Sequence, residues 1–293
     1  MNRTSEALLS RQNMSNFKTL YVEGDLDYNI IFSFLNNNNL KDIRIIRIIK
    51  DKDEILGVSQ MNDSLGAKKE IIKLIKQSNS DPTIEDGKYL GIVDLDFDLY
   101  FSVIENISNL IYTDKNSMES YLIDIDLFRI LSEEKSCNSF NCFEENFDTY
   151  INNFSHFNKM FIFQLKYISE LNENVISFDK IKFGSGIIKS DNTICTETII
   201  RKCNNDYQIW QNSFNSKLNE IETLEQSKVM DKLVFFHGKY TLKYLINLFK
   251  NILNIYRQVD ESTIINILKD KFIILKKCDN YDLFKNLIKF SQN

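Results

Sequence analysis

Short apolar runs separated by helical patterns mark the first part of the chain. Four runs rich in β-branched and aromatic residues predict buried strands: Lys18–Glu23, Ile43–Ile49, Tyr89–Val93 and Asn109–Thr113. Helical spacing of apolar residues predicts helices over Leu26–Leu35, over Ala67–Gln77, and from Ser117, after a break, to Leu131. Strands and helices in this order predict an α/β fold, with a Rossmann-like parallel sheet flanked by helices.

A different pattern begins at about Ser132, where apolar residues recur almost only at helical spacing. The segments that carry it are Phe147–Phe157, Phe161–Leu171, Tyr207–Leu224, Tyr240–Tyr256, Ile264–Leu275 and Tyr281–Phe290. They predict a mainly helical C-terminal region. We therefore expect two domains, a catalytic α/β domain over residues 1–131 and a helical domain over residues 132–293.

The composition favours a cytoplasmic protein. No apolar run reaches the roughly 20 residues that a membrane-spanning helix needs, and the first residues lack the apolar core of a secretory signal. The five cysteines include no C-x-x-C pair, which indicates free thiols in a reducing compartment. A Walker A sequence is missing too, so we expect the chain not to hydrolyse ATP itself.

Charge is distributed unevenly along the chain. Residues 1–175 carry 28 acidic and 18 basic side chains, whereas residues 176–293 carry 13 acidic and 18 basic ones. This asymmetry is what a metal-binding part and a polyanion-binding part would produce. The alternative is that the difference is scattered over solvated surface.

Acidic residues follow two of the predicted strands. Asp94 and Asp96 come directly after the apolar run Tyr89–Val93, and like charges so close together oppose each other's ionisation. A divalent cation removes the conflict, because Mg²⁺ prefers carboxylate oxygens. Glu23 ends the first strand, and Asp27 lies one helical turn later. Carboxyl ends of parallel strands share one sheet edge, so we expect these four side chains to meet there.

These motifs resemble those of a TOPRIM domain. The elements are V-E-G-x-x-D over residues 22–27, D-x-D over residues 94–96, and T-D-x-x-x-x-E over residues 113–119. Together they are similar to a family of TOPRIM proteins related to the OLD nucleases, some of which are effector nucleases of anti-phage systems paired with an ABC-type ATPase. Weaker similarity covers Ser64–Ile75 and Phe235–Ile246.

The resemblance implies a Mg²⁺-dependent nuclease, with Mn²⁺ as a possible substitute. Its acidic site would comprise five metal ligands: Glu23, Asp27, Asp94, Asp96 and Glu119. Four of them, Glu23, Asp94, Asp96 and Glu119, would also be catalytic residues. The substrate would be RNA, including tRNA, or DNA. The resemblance further implies an anti-phage defence role, a homodimer, and a separate ABC-type ATPase that restrains or triggers the enzyme.

Basic residues supply candidate contacts to a nucleic acid. Lys68 and Lys69 open the predicted helix beside the acidic site and could meet a phosphate; the alternative is an ordinary solvated lysine pair. A second set lies at steps of four, seven and seven, the spacing of one helical face: Lys239, Lys243, Lys250 and Arg257. This face could follow a phosphate backbone or could simply face water. Lys239 is also the candidate catalytic lysine, because related nucleases use a downstream lysine near the metals.

Two other functions are compatible with the motifs. The first is a non-catalytic TOPRIM module that binds a nucleic acid or a protein, although such a role gains little from repelling carboxylates. The second is a primase- or topoisomerase-like enzyme, although the sequence has neither a recognisable zinc-binding region nor an identifiable tyrosine nucleophile.

Overall fold

The structure is a computed structural model. It describes residues 17–48, 66–134, 140–171, 181, 183, 187–203, 207–226 and 232–292. The sequence also predicts a polar loop over Met61–Gly66, and of this loop only Gly66 is described. The last residue of the predicted strand Ile43–Ile49 lies outside the described residues too.

A four-stranded parallel sheet confirms the predicted α/β class. The strands are β1 (Lys18–Val22), β2 (Ile43–Arg47), β3 (Tyr89–Val93) and β4 (Leu110–Tyr112). Their order in the sheet is β2-β1-β3-β4, and all three pairings are parallel. The inner strand β3 is buried along its whole length, as a continuous apolar run predicts for a strand that is covered on both faces.

Helices follow the strands as the sequence pattern predicts. The helices of this part of the chain are α1 (Asp25–Asn37), α2 (Ala67–Ser80), the short α3 (Asp98–Phe101) and α4 (Ile125–Glu133). The segment predicted to begin a helix at Ser117 forms a 3₁₀ helix, Met118–Leu122. The break before α4 comes at Asp124, whose side chain accepts a hydrogen bond from the amide of Asp126 and so caps the helix.

The later part of the described chain is mainly helical, as predicted. Its helices are α5 (Phe140–Glu145), α6 (Phe147–Asn153), α7 (Ser155–Leu171), α8 (Thr196–Cys203), α9 (Tyr207–Gln226), α10 (Lys232–Phe235), α11 (Gly238–Leu253), α12 (Glu261–Ile274) and α13 (Asp282–Gln292). Of the helices in the described ranges, none has both the length and the apolar character needed to cross a membrane.

The chain divides into two compact units built from discontinuous segments. Unit 1 comprises Met1–Asp96, Val103–Met118 and Lys269–Asn293, and unit 2 comprises Phe97–Ser102 and Glu119–Leu268. The contiguous domains 1–131 and 132–293 stay a prediction.

The core of unit 1 lies between the sheet and α2. Gly91 in β3 is the point of closest approach, since a Cβ atom built there would lie 2.7 Å from Ile71 Cγ2 and 2.8 Å from Ile75 Cγ1. A glycine is therefore needed for α2 to pack this closely on the strand. The C-terminal helix α13 also belongs to this unit, and its Phe284 packs on Phe34 of α1 with ring centroids 5.0 Å apart.

The core of unit 2 is rich in aromatic side chains. Phe128, Phe143 and Phe249 form one cluster, with ring centroids 5.2 to 5.5 Å apart. Trp210 is fully buried against Phe163, whose ring centroid lies 5.0 Å away. These aromatic residues are core residues, so none of them offers a base a surface on which to stack.

Candidate acidic site

The acidic site begins where β1 and β3 end. The two strands are neighbours, and their register pairs Tyr21 with Gly91. Glu23 and Asp94, the first residues after the strands, therefore leave the sheet at the same edge. Glu23 Oε1 accepts a hydrogen bond from the backbone amide of Asp94 at 2.8 Å. Glu23 and Asp94 are 71 positions apart in the sequence. The contact agrees with the prediction that they meet at the sheet edge.

The carboxyl group of Glu23 is electrostatically unfavourable when ionised. Burial raises its pKa to about 7, with the carboxylates of Asp96 and Asp27 adding to the rise. The hydrogen bond from the Asp94 amide and the charge of Lys68 act in the opposite direction but do not cancel the effect. A buried carboxyl group beside two other carboxylates is a position where a bound cation would favour the ionised form.

Asp27 is held beside Glu23 by the start of α1. Its Oδ2 atom accepts a hydrogen bond from the backbone amide of Gly24 at 2.9 Å, and the side chain is buried. Gly24 is the N-cap residue and Asp25 is the first helical residue. Asp25 therefore lies in the first turn of the helix and does not cap it.

A tight turn presents Asp94 and Asp96 on the same side of the sheet edge. Asp96 has a left-handed backbone conformation, with φ of 49°, which aspartate tolerates better than most residues. Asp94 Oδ1 accepts a hydrogen bond from the backbone amide of Met118 at 3.1 Å. The segment after β4 therefore reaches the same edge and helps to orient the first aspartate.

Two residues of that segment hold the turn in place. Asn116 is fully buried. Its side-chain Nδ2 atom donates to the backbone carbonyl oxygen of Asp96 at 2.5 Å. The backbone carbonyl oxygen of Asn116 accepts in turn from the backbone amide of Asp96 at 2.6 Å. Thr113 Oγ1 accepts from the amide of Leu95 at 2.9 Å. These contacts tie the segment after β4 to the turn that carries the aspartates. The sequence gives no separate signal for this role of Thr113 or Asn116.

Lys68 is the cation found among these carboxylates. Its Nζ atom lies 3.1 Å from Asp96 Oδ2 and 2.5 Å from the carbonyl oxygen of Asp94, and its side chain is 16% exposed. The neighbouring Lys69 is exposed. The alternative of an ordinary solvated lysine pair is therefore wrong for Lys68, because the carboxylates and a backbone carbonyl draw it into the site.

The donor set suits Mg²⁺ in its chemistry but does not form a complete cage. Within the described ranges, no group of three or more His, Cys, Asp and Glu side chains is arranged to hold a metal ion. Magnesium is usually bound by one or two carboxylates together with water and substrate phosphates, so a full set of protein ligands is not required before the substrate binds. Glu23, Asp27, Asp94 and Asp96 supply only hard oxygen donors, and the pKa of Glu23 is raised first by burial and then by the neighbouring carboxylates, although the charge of Lys68 lowers it.

The remaining predicted site residues lie in unit 2. Glu119 is partly buried and begins the second segment of that unit, directly after Met118 in the sequence. Lys239 and Lys243 lie on α11, with their Nζ atoms 5.7 and 6.0 Å from the ring centroid of Tyr240. Their part in a site with the four carboxylates of unit 1 stays a prediction.

The predicted basic face of α11 is shorter than expected. The helix ends at Leu253, where Asn254 adopts a left-handed conformation, so Arg257 lies beyond the helix. Lys250 Nζ donates to the carbonyl oxygen of Val259 at 2.6 Å. The prediction that Arg257 continues the helical face is wrong, because the residue spacing that suggested it extends past the C-cap.

Comparison with known proteins adds no assignment. No protein-family model matches the chain, and no curated protein matches it significantly. The resemblance of the acidic motifs to TOPRIM nucleases stays a prediction from the sequence.

Proposed function

We propose that the protein is a Mg²⁺-dependent nuclease of TOPRIM type. The observation that carries the proposal is the convergence of Glu23, Asp94 and Asp96 at one edge of a parallel sheet, with Asp27 beside them. Carboxylates brought to one place from separate strands favour cation binding over a purely structural role. When bound, Mg²⁺ would supply an activated water and neutralise charge that develops on a phosphodiester.

The roles of the chain's own residues follow from their contacts. Asp94 and Asp96 would hold the metal, oriented by the Met118 amide and by Asn116. Glu23 would serve as a metal ligand or as the acid/base group, since a pKa of about 7 allows it to exchange a proton near neutral pH. Lys68 would leave Asp96 and contact a substrate phosphate, because its charge is no longer needed there once a divalent cation is bound.

The biological role in this proposal comes from the family resemblance. It is an anti-phage effector that acts as a homodimer on RNA such as tRNA, or on DNA, under the control of a separate ABC-type ATPase. The same resemblance counts Glu119 and Lys239 among the catalytic residues. The net charge of −5 disfavours tight non-specific binding to nucleic acid, which suits an enzyme that acts only when it is triggered.

Cleavage assays with matched variants test the proposal. Purified protein is incubated with tRNA and with plasmid DNA in Mg²⁺, in Mn²⁺ and in EDTA, alone and co-expressed with the product of its neighbouring gene. We expect metal-dependent cleavage that falls to background in Glu23→Gln and Asp94→Asn. Glu85→Gln, which changes an exposed glutamate, should keep full activity. Cleavage of neither substrate in any of these states, or full activity of Glu23→Gln, would refute the proposal.

One observation favours a second candidate, a non-catalytic binding module. Lys68 already forms an ion pair with Asp96, so the turn is partly neutralised without any metal. In that case nucleic acid would bind equally well in EDTA and in Mg²⁺, and would never be cut. The same assays therefore distinguish the two functions.

A further inference from the structure

The exposed face of α2 carries a row of lysines that starts next to the acidic site. Lys69, Lys73 and Lys76 are four and three residues apart, which places them on one side of the helix. The acidic residue within this helix, Glu70, is buried and lies roughly a quarter turn around the helix from the lysines. The face is therefore basic, although the first 175 residues as a whole are acidic.

The row leads directly to the carboxylates. Lys68, the residue before Lys69, places its Nζ atom 3.1 Å from Asp96 Oδ2. With a rise of about 1.5 Å per residue, the lysine row extends about 10 Å along the helix axis away from that point. Successive lysines are then about 4.5 to 6 Å apart along the axis, which suits one charge contact per nucleotide of an extended strand.

A groove beside the row offers room for a ligand. It has a volume of about 560 Å³ and is lined by the three lysines together with Ile72, Gln77 and Glu105, among others. Gln77 adds a neutral amide, a hydrogen-bonding group, to this lining.

Glu105 is the acidic residue in this groove, and it pairs with Lys76. The two side chains are 46% and 51% exposed, so the ion pair is weak and can be exchanged for a phosphate contact at little cost. Glu105 would also repel a phosphate. Removing the charge of Glu105 should therefore strengthen nucleic-acid binding, whereas removing the charge of the lysines should weaken it.

We infer that this face of α2 binds the phosphate backbone of one nucleic-acid strand and guides it to the acidic site. The inference rests on the proposed function for the identity of the ligand. A row one residue wide fits a single backbone better than the paired backbones of a duplex. Lys73 and Lys76 thereby join Lys69 as binding residues, while the scissile phosphate would lie towards Lys68.

Binding measured without cleavage tests the inference. Fluorescence anisotropy is recorded for a labelled 12-nucleotide RNA, in EDTA, over a series of salt concentrations. We expect Lys73→Gln/Lys76→Gln to weaken binding about tenfold at low salt, and to reduce the slope of log K against log salt by about 1.4, since each single-strand phosphate contact contributes about 0.7. Glu105→Gln should tighten binding several-fold. Circular dichroism verifies that each variant is folded.

A matched pair on another helix provides the control. Lys285 and Lys289 are exposed on α13, also four residues apart, and Lys285 pairs with Asp282 much as Lys76 pairs with Glu105. Lys285→Gln/Lys289→Gln should bind as the wild type does. The inference would be overturned by any of four results. These are an equal loss of affinity in both lysine pairs, no loss of affinity in the α2 pair, no binding by the wild type, or weaker binding by Glu105→Gln. RNA binding that depends on the α2 lysines but is never followed by cleavage would refute the nuclease proposal alone.

Discussion

Replacing Glu23 by glutamine should make the protein more stable while removing its proposed activity. Glutamine keeps the oxygen that accepts the Asp94 amide hydrogen bond but carries no charge. Burial and two neighbouring carboxylates raise the pKa of Glu23 from 4.5 to about 7. Because one pKa unit corresponds to 1.36 kcal/mol, ionised Glu23 costs the folded state up to about 3 kcal/mol.

The effect has a defined pH dependence. A carboxyl group whose pKa is higher in the folded state supports folding below its unfolded pKa of about 4.5, and that support is lost as the pH rises through about 7. Glu23→Gln and the wild type should therefore have similar stability at pH 4.5. At pH 8, without metal, the variant should be more stable by about 1 to 3 kcal/mol, and a chain of this size should show this as a rise in Tm of roughly 2 to 10 °C.

Thermal and urea unfolding in EDTA at pH 4.5, 6 and 8 provides the measurement, with exposed Glu85→Gln as the control that should change little at any pH. Repeating the scans in 10 mM Mg²⁺ adds a second comparison, because a ligand that binds only the folded state stabilises it. The wild type should gain more stability from Mg²⁺ than Glu23→Gln does. If the variant is less stable than the wild type at pH 8, or if their difference is the same at pH 4.5 and pH 8, burial and the neighbouring carboxylates do not raise the pKa of Glu23 in the folded protein.

Three further predictions test the surroundings of the site, the core of unit 1 and a histidine on the surface of unit 2. Asn116→Ala should cost about 1 to 3 kcal/mol in urea unfolding, because the partly buried carbonyl of Asp96 loses its donor, whereas Asn79→Ala, which breaks an exposed bond, should cost clearly less. Gly91→Ala should cost about 1 to 3 kcal/mol, because the added methyl group overlaps Ile71; unchanged stability would contradict the packing described here. His156 is exposed by surface area but lies against Phe214, and partial desolvation there, together with the charge of Lys159, lowers its pKa. Its neutral form therefore supports folding above pH 6.5, and this support is lost at lower pH. His156→Gln should therefore lose less stability than the wild type between pH 7 and pH 5, as followed by thermal unfolding.

Local pattern was sufficient to predict most of the elements. The apolar run Tyr89–Val93 forms the buried inner strand, and the helical spacing in Ala67–Gln77 forms α2, which extends three residues further. Such patterns are reliable because burying one face of a helix or both faces of a strand imposes a period on nearby residues. Helix ends were less well predicted. Arg257 illustrates this, because it follows Lys250 by seven residues, as a residue on the same helical face would, although the helix has already ended at Leu253.

The partners of the acidic residues could be predicted only in part. The meeting of Glu23 with Asp94 follows from strand order and the shared edge of a parallel sheet. The approach of Lys68 to Asp96, and the support of the turn by Asn116, follow from how α2 and the segment after β4 pack on that edge. Neither residue type is rare, and neither position is marked by a local pattern.

The order of residues was thus enough to establish a parallel α/β sheet, the helical later region, and a set of carboxylates at strand ends. Only the tertiary structure decided which charged groups lie close together. It also placed the C-terminal helix in the unit that holds these groups, where Asp114 accepts a hydrogen bond from the amide of Leu283 at 3.0 Å. The division has a physical reason. Secondary structure depends on the periodic burial of neighbours in the chain, whereas electrostatic contacts depend on distances between groups that are far apart along it.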